Sequence, residues 1–294
     1  MNTGIKKSDD IKTSFFDKVS FKFIQIFKKY YYRFTSGTAK KKCILFILGC
    51  QRSGTSMMTR IMARDVRTKI FEEFSELSSD DPGGLRLNSF DKIDKIFADE
   101  PFSLLVSKPL VESQNSDKLL SHFNSAKAIW MFRHYKDVAS SNLAKFSAKN
   151  CVNNLLPISL KEENNWRSER VGEETQKIID KYFSKDMNPA DAAVLFWLVR
   201  NNIFFEQKLF ENENILMCKY EDLTSSPSQE MKRIYNFLGI DYPQTNITKE
   251  VSVDSKGKGQ NLELNPEIEK LCTEVWEKLN RYYEKTHSLS DTVE

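Results

Sequence analysis

The stretch CILFILGCQRSGTSMMTRIM, residues 43 to 62, constrains the fold more than any other part of the chain. An apolar run of strand length ends at Gly49, a polar turn follows, and apolar residues then recur at helical spacing. Strand, glycine-flanked turn and helix in that order make an anion-holding unit, because the start of the helix presents unpaired backbone N–H groups to the turn. Gly49 and Gly54 keep the glycine spacing of a phosphate loop, but Thr55 stands where a nucleoside-triphosphatase carries Lys. The hydroxyls of Ser53, Thr55 and Ser56 supply donors, and the nearest cation is Arg52. None of the later strand runs ends in the Asp that a magnesium-triphosphate site uses, so an anion bound without metal is expected.

Beyond this unit, SLLVSK (103–108), AIWMF (128–132) and ILMCKY (215–220) are short apolar runs of the kind that form buried parallel strands. Each is followed by a helical pattern. In SSPSQEMKRIYNFLG, Ser226 stands at a cap, Pro227 at the first helical position and Gly239 at the stop. The alternation predicts an α/β fold, a central, mostly parallel sheet flanked by helices, with the ligand beyond the carboxyl ends of the strands. A polar span from about 150 to 188 breaks the alternation. It reads as an insertion of loop and short helix, either shaping the substrate side or a solvated excursion.

Charge divides the chain further. Residues 1–42 hold eleven Lys or Arg against three Asp, while the whole chain of 294 residues carries only +3, so the remainder is net acidic. That small total gives no support to a nucleic-acid-binding protein. Within this basic head, Ile11, Phe15, Val19, Phe23, Phe27 and Phe34 fall close to one helical face among lysines. Such a helix suits either an anionic membrane surface or packing on its own domain. No apolar run is long enough to span a bilayer and no secretory leader is visible, which predicts a cytoplasmic protein with, at most, peripheral contact at the inner membrane face. Five dispersed cysteines and three histidines offer no metal-ligand spacing. The expected organisation is a head (1–42), one domain (43–286) and a short tail (287–294).

The segment AIWMFRHYKDVASSNLAKF places Arg133 at the end of a strand and Ser141 on the helix that follows, where a cation and a hydroxyl can converge on one phosphate. With QRSGTS upstream, the chain here resembles the sulfotransferases that use 3′-phosphoadenosine 5′-phosphosulfate (PAPS). In that family the first loop holds the 5′-phosphosulfate, and an R-x-P-x-D-x-x-x-S segment holds the 3′-phosphate. Arg133, Asp137 and Ser141 match, whereas Tyr135 replaces the usual proline. The Y-E-D-L turn with its helix ending in F-L-G, and DSKGKGQN at 254–261, are similar to two further family segments.

The resemblance implies roles for single residues. Arg52, Ser53, Gly54, Thr55 and Ser56 would hold the phosphosulfate, and Arg133 and Ser141 the 3′-phosphate. Lys256 is either a further 3′-phosphate partner or a solvated lysine, and Tyr220 either an adenine-stacking ring or a structural one. Lys108, at a strand end, would reach the transferring sulfuryl group, aided by Arg52. In TKIFEEFSELSS a glutamate would be the base, as in the tyrosyl-protein and carbohydrate branches. The offset favours Glu73 over Glu72 and Glu76, with strand alternation expected to put Glu72 on the face opposite Glu73. The implied reaction is sulfuryl transfer to an acceptor hydroxyl, of a carbohydrate or glycolipid first and of protein tyrosine second. A nucleotide kinase, disfavoured by Thr55, and a nucleotide-binding module without catalysis are the competing readings.

Overall fold

Period-two burial in β1 (Cys43–Gly49) sets the layering: Leu45 and Ile47 enter one apolar cluster, Phe46 and Leu48 another, and all four are buried. The computed structural model describes residues 28, 42–79, 85–249, 251, 257, 259 and 261–290. After β1 come α1 (Thr55–Met62), β2 (Thr68–Phe71), α2 (Phe90–Asp99) and β3 (Leu104–Ser107). A buried 3-10 turn (Leu110–Asn115) leads to α3 (Ser116–His122), β4 (Lys127–Phe132) and α4 (Tyr135–Lys145). The five-stranded sheet has the order β2-β3-β1-β4-β5 with every pairing parallel, β5 being Ile215–Lys219. The strands foreseen from the sequence are therefore present in one parallel sheet.

Helix α1 shows why its sequence is helical: Thr55, Met58, Thr59, Ile61 and Met62 are buried at the spacing of one face, against Leu45 and Ile47. The polar span contains α5 (Ala148–Asn153), α6 (Leu156–Ser159) and α7 (Glu173–Tyr182). It leads into α8 (Pro189–Glu206), which is buried on all sides, as its unbroken apolar run AAVLFWLV requires. Helix α8 packs against α4, α5 and the closing helix α11 (Pro266–Ser290). That last helix continues past the boundary expected at 286. Between β5 and α11 lie α9 (Tyr220–Ser225) and α10 (Pro227–Leu238), the latter with Pro227 in its first turn and Gly239 left-handed at φ 70° at its end. Ser226 occupies the cap position, but its side chain makes no capping hydrogen bond.

Of the basic head, Lys28 and Lys42 are described; the rest of the amphipathic pattern lies outside the described residues. Lys28 donates to the main-chain oxygens of Ala63 and, at 3.1 Å, Asp65, satisfying carbonyls at the end of α1. Lys42 does the same for Phe97 and Ala98 at the end of α2, both at 2.6 Å. Among the described residues no helix is long and apolar enough to cross a membrane.

Candidate active site

The phosphate loop leaves β1 through backbone conformations that its residues fix. Gly49 has φ 120°, and a Cβ there would stand 2.3 Å from the Met131 oxygen of β4. Gly54 has φ 93°, and a Cβ would stand 2.3 Å from the Tyr220 ring, so both glycines are required. Arg52 is left-handed at φ 66° without being glycine, strain of the kind stored at functional turns. Ser113, in the 3-10 turn, holds the root of the loop: its Oγ accepts the Gly49 N–H at 3.0 Å and donates to the Leu110 oxygen at 2.8 Å. No sequence motif marked this serine.

Ser53 is fully buried, and its Oγ has no hydrogen-bond partner among the described residues. A buried hydroxyl without a partner costs stability, and beside the open N-terminus of α1 it fits an anion as the missing partner. Thr55 is buried and Ser56 exposed at the mouth of the loop. Cys50 adjoins the loop, but complete burial pushes its thiol up to about 12 against the opposing charge of Arg200, which makes it a poor nucleophile at neutral pH.

Lys108 follows β3 and is only 5% exposed. Its Nζ donates to Ser56 Oγ at 3.1 Å and stands 2.7 Å from the Glu72 carboxylate and 3.7 Å from that of Glu73. Strand β2 stops at Phe71, so the pleat no longer governs the next two residues. The expected opposition of Glu72 and Glu73 therefore does not hold, and both face Lys108. Thr59 of α1 donates to the second Glu72 oxygen at 2.8 Å, while Glu76 turns away to Lys69 at 3.0 Å. Burial raises the pKa of Glu73; Lys108 opposes this and the neighbouring Glu72 charge adds to it, with a net upward result.

The other half of the site starts at the end of β4. The guanidinium of Arg133 lies 4.2 Å from the centre of the Tyr220 ring, reaches the Arg52 oxygen at 3.5 Å and stands 3.5 Å from Asp137. The Arg133 main-chain oxygen accepts from Trp197 Nε1 at 3.0 Å, tying the strand end to α8. Eight residues beyond Arg133, on α4, Ser141 Oγ accepts from Arg52 Nε at 2.9 Å. Arg52, Arg133 and Ser141, called from separate stretches of sequence, thus converge. Tyr220 is 3% exposed, with one face under Arg133 and its edge against Gly54, a placement that supports the loop rather than offering an open ring. Tyr135, in the position of the usual proline, stacks on His134 at 4.5 Å and bonds Thr273 of α11 at 3.0 Å.

Lys256 lies outside the described residues, but its neighbours Gly257 and Gly259 are placed. Their N–H groups donate to the two carboxylate oxygens of Asp137, each at 3.0 Å. A Cβ on Gly259 would lie 2.1 Å from the Lys136 oxygen, so the backbones touch there. Sequence reading matched Asp137 to a motif without giving it this task; two glycines one residue apart were the available signal. Among the described residues one group has the composition of a metal site, Asp91, Asp94 and His122, all exposed; none belongs to the loop or to the Arg133 segment.

A family model described as "Sulfotransferase domain" matches residues 44–287. Solved structures similar to this chain include a sulfotransferase domain from the Synechococcus PCC 7002 olefin synthase, at 18% identity and TM-score 0.45, covering 82% of this chain and 95% of that one. A sulfotransferase from Alicyclobacillus acidocaldarius is 17% identical with TM-score 0.46, over 85% and 96% of the two chains. Mouse sulfotransferase SULT7A1 complexed with PAP is 15% identical with TM-score 0.43, over 86% and 90%. No curated protein matches the chain. Because the family match spans almost the whole described domain, this chain belongs to the sulfotransferase domain family and is a PAPS-dependent sulfotransferase.

Proposed function

We propose that this sulfotransferase moves the sulfuryl group of PAPS to a hydroxyl of a carbohydrate or glycolipid, protein tyrosine being the second acceptor class. The observation that carries the mechanism is the placement of Lys108 between the loop hydroxyl of Ser56 and the carboxylates of Glu72 and Glu73. The donor supplies the sulfuryl group; binding, charge and proton handling fall to the chain.

Loop amides with Arg52, Ser53, Thr55 and Ser56 would hold the 5′-phosphosulfate, and Arg133 and Ser141 the 3′-phosphate, with Lys256 an added candidate. Charge building on the bridging and leaving oxygens needs a preorganised cation nearby, the role assigned to Lys108. As the acceptor oxygen bonds sulfur and the donor's sulfur–oxygen bond breaks, the acceptor proton passes to Glu73. Glu73 suits a base better than Glu72, since its raised pKa lies nearer working pH, whereas Glu72 has both oxygens engaged by Thr59 and Lys108.

Thermal shift with adenosine 3′,5′-bisphosphate against ATP plus magnesium tests the reading. Clear stabilisation by the bisphosphate alone is expected, because a ligand held only by the native state raises apparent stability. Preference for ATP with magnesium would overturn it.

The proposal extends to the head as a peripheral contact with anionic lipid, supported by its basic amphipathic pattern. Lys28 is not offered to lipid in that picture, since its ammonium is committed to Ala63 and Asp65. Co-sedimentation with phosphatidylserine vesicles should fall steeply with salt. Binding that ignores salt, or no binding, rejects this part.

A further inference from the structure

Phe74 is the most exposed large hydrophobic side chain among the described residues, at 73%. One exposed Phe is ordinary on a protein surface. This one stands directly after the two carboxylates that face Lys108. It is also held in place. Ser75 donates its N–H to Ser78 Oγ at 3.1 Å, Ser78 returns an N–H to the Ser75 oxygen at 3.0 Å, and Ser78 Oγ donates to the Glu73 oxygen at 2.5 Å. The turn that carries the ring is therefore fastened by its own hydrogen bonds on both sides. Phe71, three residues earlier, is fully buried against Phe97, so the core beneath this segment is already filled by another ring.

We infer that Phe74 is the ring platform of the acceptor subsite, stacking on the C–H face of a sugar whose hydroxyl is presented to Glu73. The inference rests on the sulfuryl-transfer reading above and names the acceptor's chemistry. An aromatic face held open in water recovers its burial when an apolar face covers it. A pyranose has such a face together with several hydroxyls at its rim. Glu73, directly before Phe74, is the carboxylate that meets the reacting hydroxyl, since those of Glu72 and Glu76 are held by Lys108 and Lys69.

Saturation-transfer NMR and acceptor kinetics on the full chain loaded with adenosine 3′,5′-bisphosphate (NMR) or PAPS (kinetics) test this, with methyl and octyl β-galactoside, the matching glucosides and p-nitrophenol as probes. Saturation of the C–H protons on one sugar face is expected in the wild type. Phe74→Ala should lose it and raise the glycoside KM about tenfold, with bisphosphate affinity and Tm unchanged. Phe74→Trp should restore both; Phe74→Leu should not, as it is apolar without an aromatic face. Four results overturn the platform while leaving the sulfotransferase reading intact: no glycoside contact in the bisphosphate-loaded wild type, unchanged glycoside KM in Phe74→Ala, equal rescue by Leu and Trp, or an effect confined to p-nitrophenol. Failure of the wild type to bind the bisphosphate overturns both.

Discussion

Lys108 and Glu72 face each other at 2.7 Å across the ends of the neighbouring parallel strands β3 and β2, and Glu73 shares the same ammonium at 3.7 Å. A base that takes its proton only as the acceptor attacks matters to the transition state more than to nucleotide binding. Glu73→Gln should cut kcat by about 10² to 10⁴ while leaving bisphosphate affinity and Tm in place. Steady-state kinetics beside calorimetric titration separates the two effects. Near-normal turnover in Glu73→Gln with loss in Glu72→Gln would move the base by one residue.

The pair also sets a pH dependence whose sign follows from the contacts. Burial raises the Glu73 pKa, Lys108 lowers it and the Glu72 charge raises it. Activity needs Glu73 ionised, so kcat/KM should fall as pH drops through that raised value. Glu72→Gln removes a negative neighbour, which eases ionisation of Glu73. The acid limb of the profile should accordingly move to lower pH. A limb displaced upward would contradict the assignment.

On the nucleotide side, Ser141 accepts from Arg52 at 2.9 Å, and Arg133 lies on the same face. Charge-assisted hydrogen bonds are worth roughly 1.5–3 kcal/mol, so Ser141→Ala and Arg133→Lys should weaken adenosine 3′,5′-bisphosphate by about 10- to 100-fold. Adenosine 5′-phosphosulfate, without the 3′-phosphate, should be nearly indifferent. Equal losses for both ligands in calorimetry would assign these residues to the fold.

Asp137 binds Gly257 and Gly259 through separate oxygens, joining the late glycine segment to the first turn of α4. Asp137→Ala leaves two amide donors without their carboxylate and should cost about 2 kcal/mol. Gly259→Ala drives a Cβ into the Lys136 main chain and should match it in effect. Both variants should lower Tm and weaken the bisphosphate together, since the segment approaches the helix that carries Ser141. Wild-type bisphosphate affinity in both would separate this link from the site.

Glu169 predicts the acid behaviour of the polar span. Burial pushes its carboxyl up, but hydrogen bonds from Arg86, Gln114 and Asn115 and the Arg86 charge outweigh this and hold it at about 2, against 4.5 for a free glutamate. A depressed folded pKa means stability present above 4.5 and lost as pH falls toward 2. Glu169→Gln should cost on the order of 2 kcal/mol at neutral pH and flatten the loss of stability across that window. Urea unfolding at a series of pH values measures both, and an unchanged slope would refute the network's role.

Local order was legible in the sequence wherever neighbours along the chain decide it. The loop after β1 needs glycine at φ 120° and 93°, its helix needs one apolar face, and β4 needs a run buried on both sides; each is a property of a few consecutive residues. QRSGTS could therefore be read as an anion-holding turn from its spacing, while the 3′-phosphate roles of Arg133 and Ser141 came from the family resemblance. The tertiary structure decided the rest. That both Glu72 and Glu73 meet Lys108 depends on β2 stopping at Phe71, and that end is set by pairing with β3 rather than by the residues TKIFEE. Tyr220 is tucked against Gly54 and Arg133 because three separate segments meet there. The Asp137 clasp on Gly257 and Gly259 and the Ser113 bracket on Gly49 close over long chain separations, between groups whose local sequence has no preference for one another. Such contacts gain free energy only once the sheet has brought their ends together, and for that reason nothing in the linear order of residues announces them.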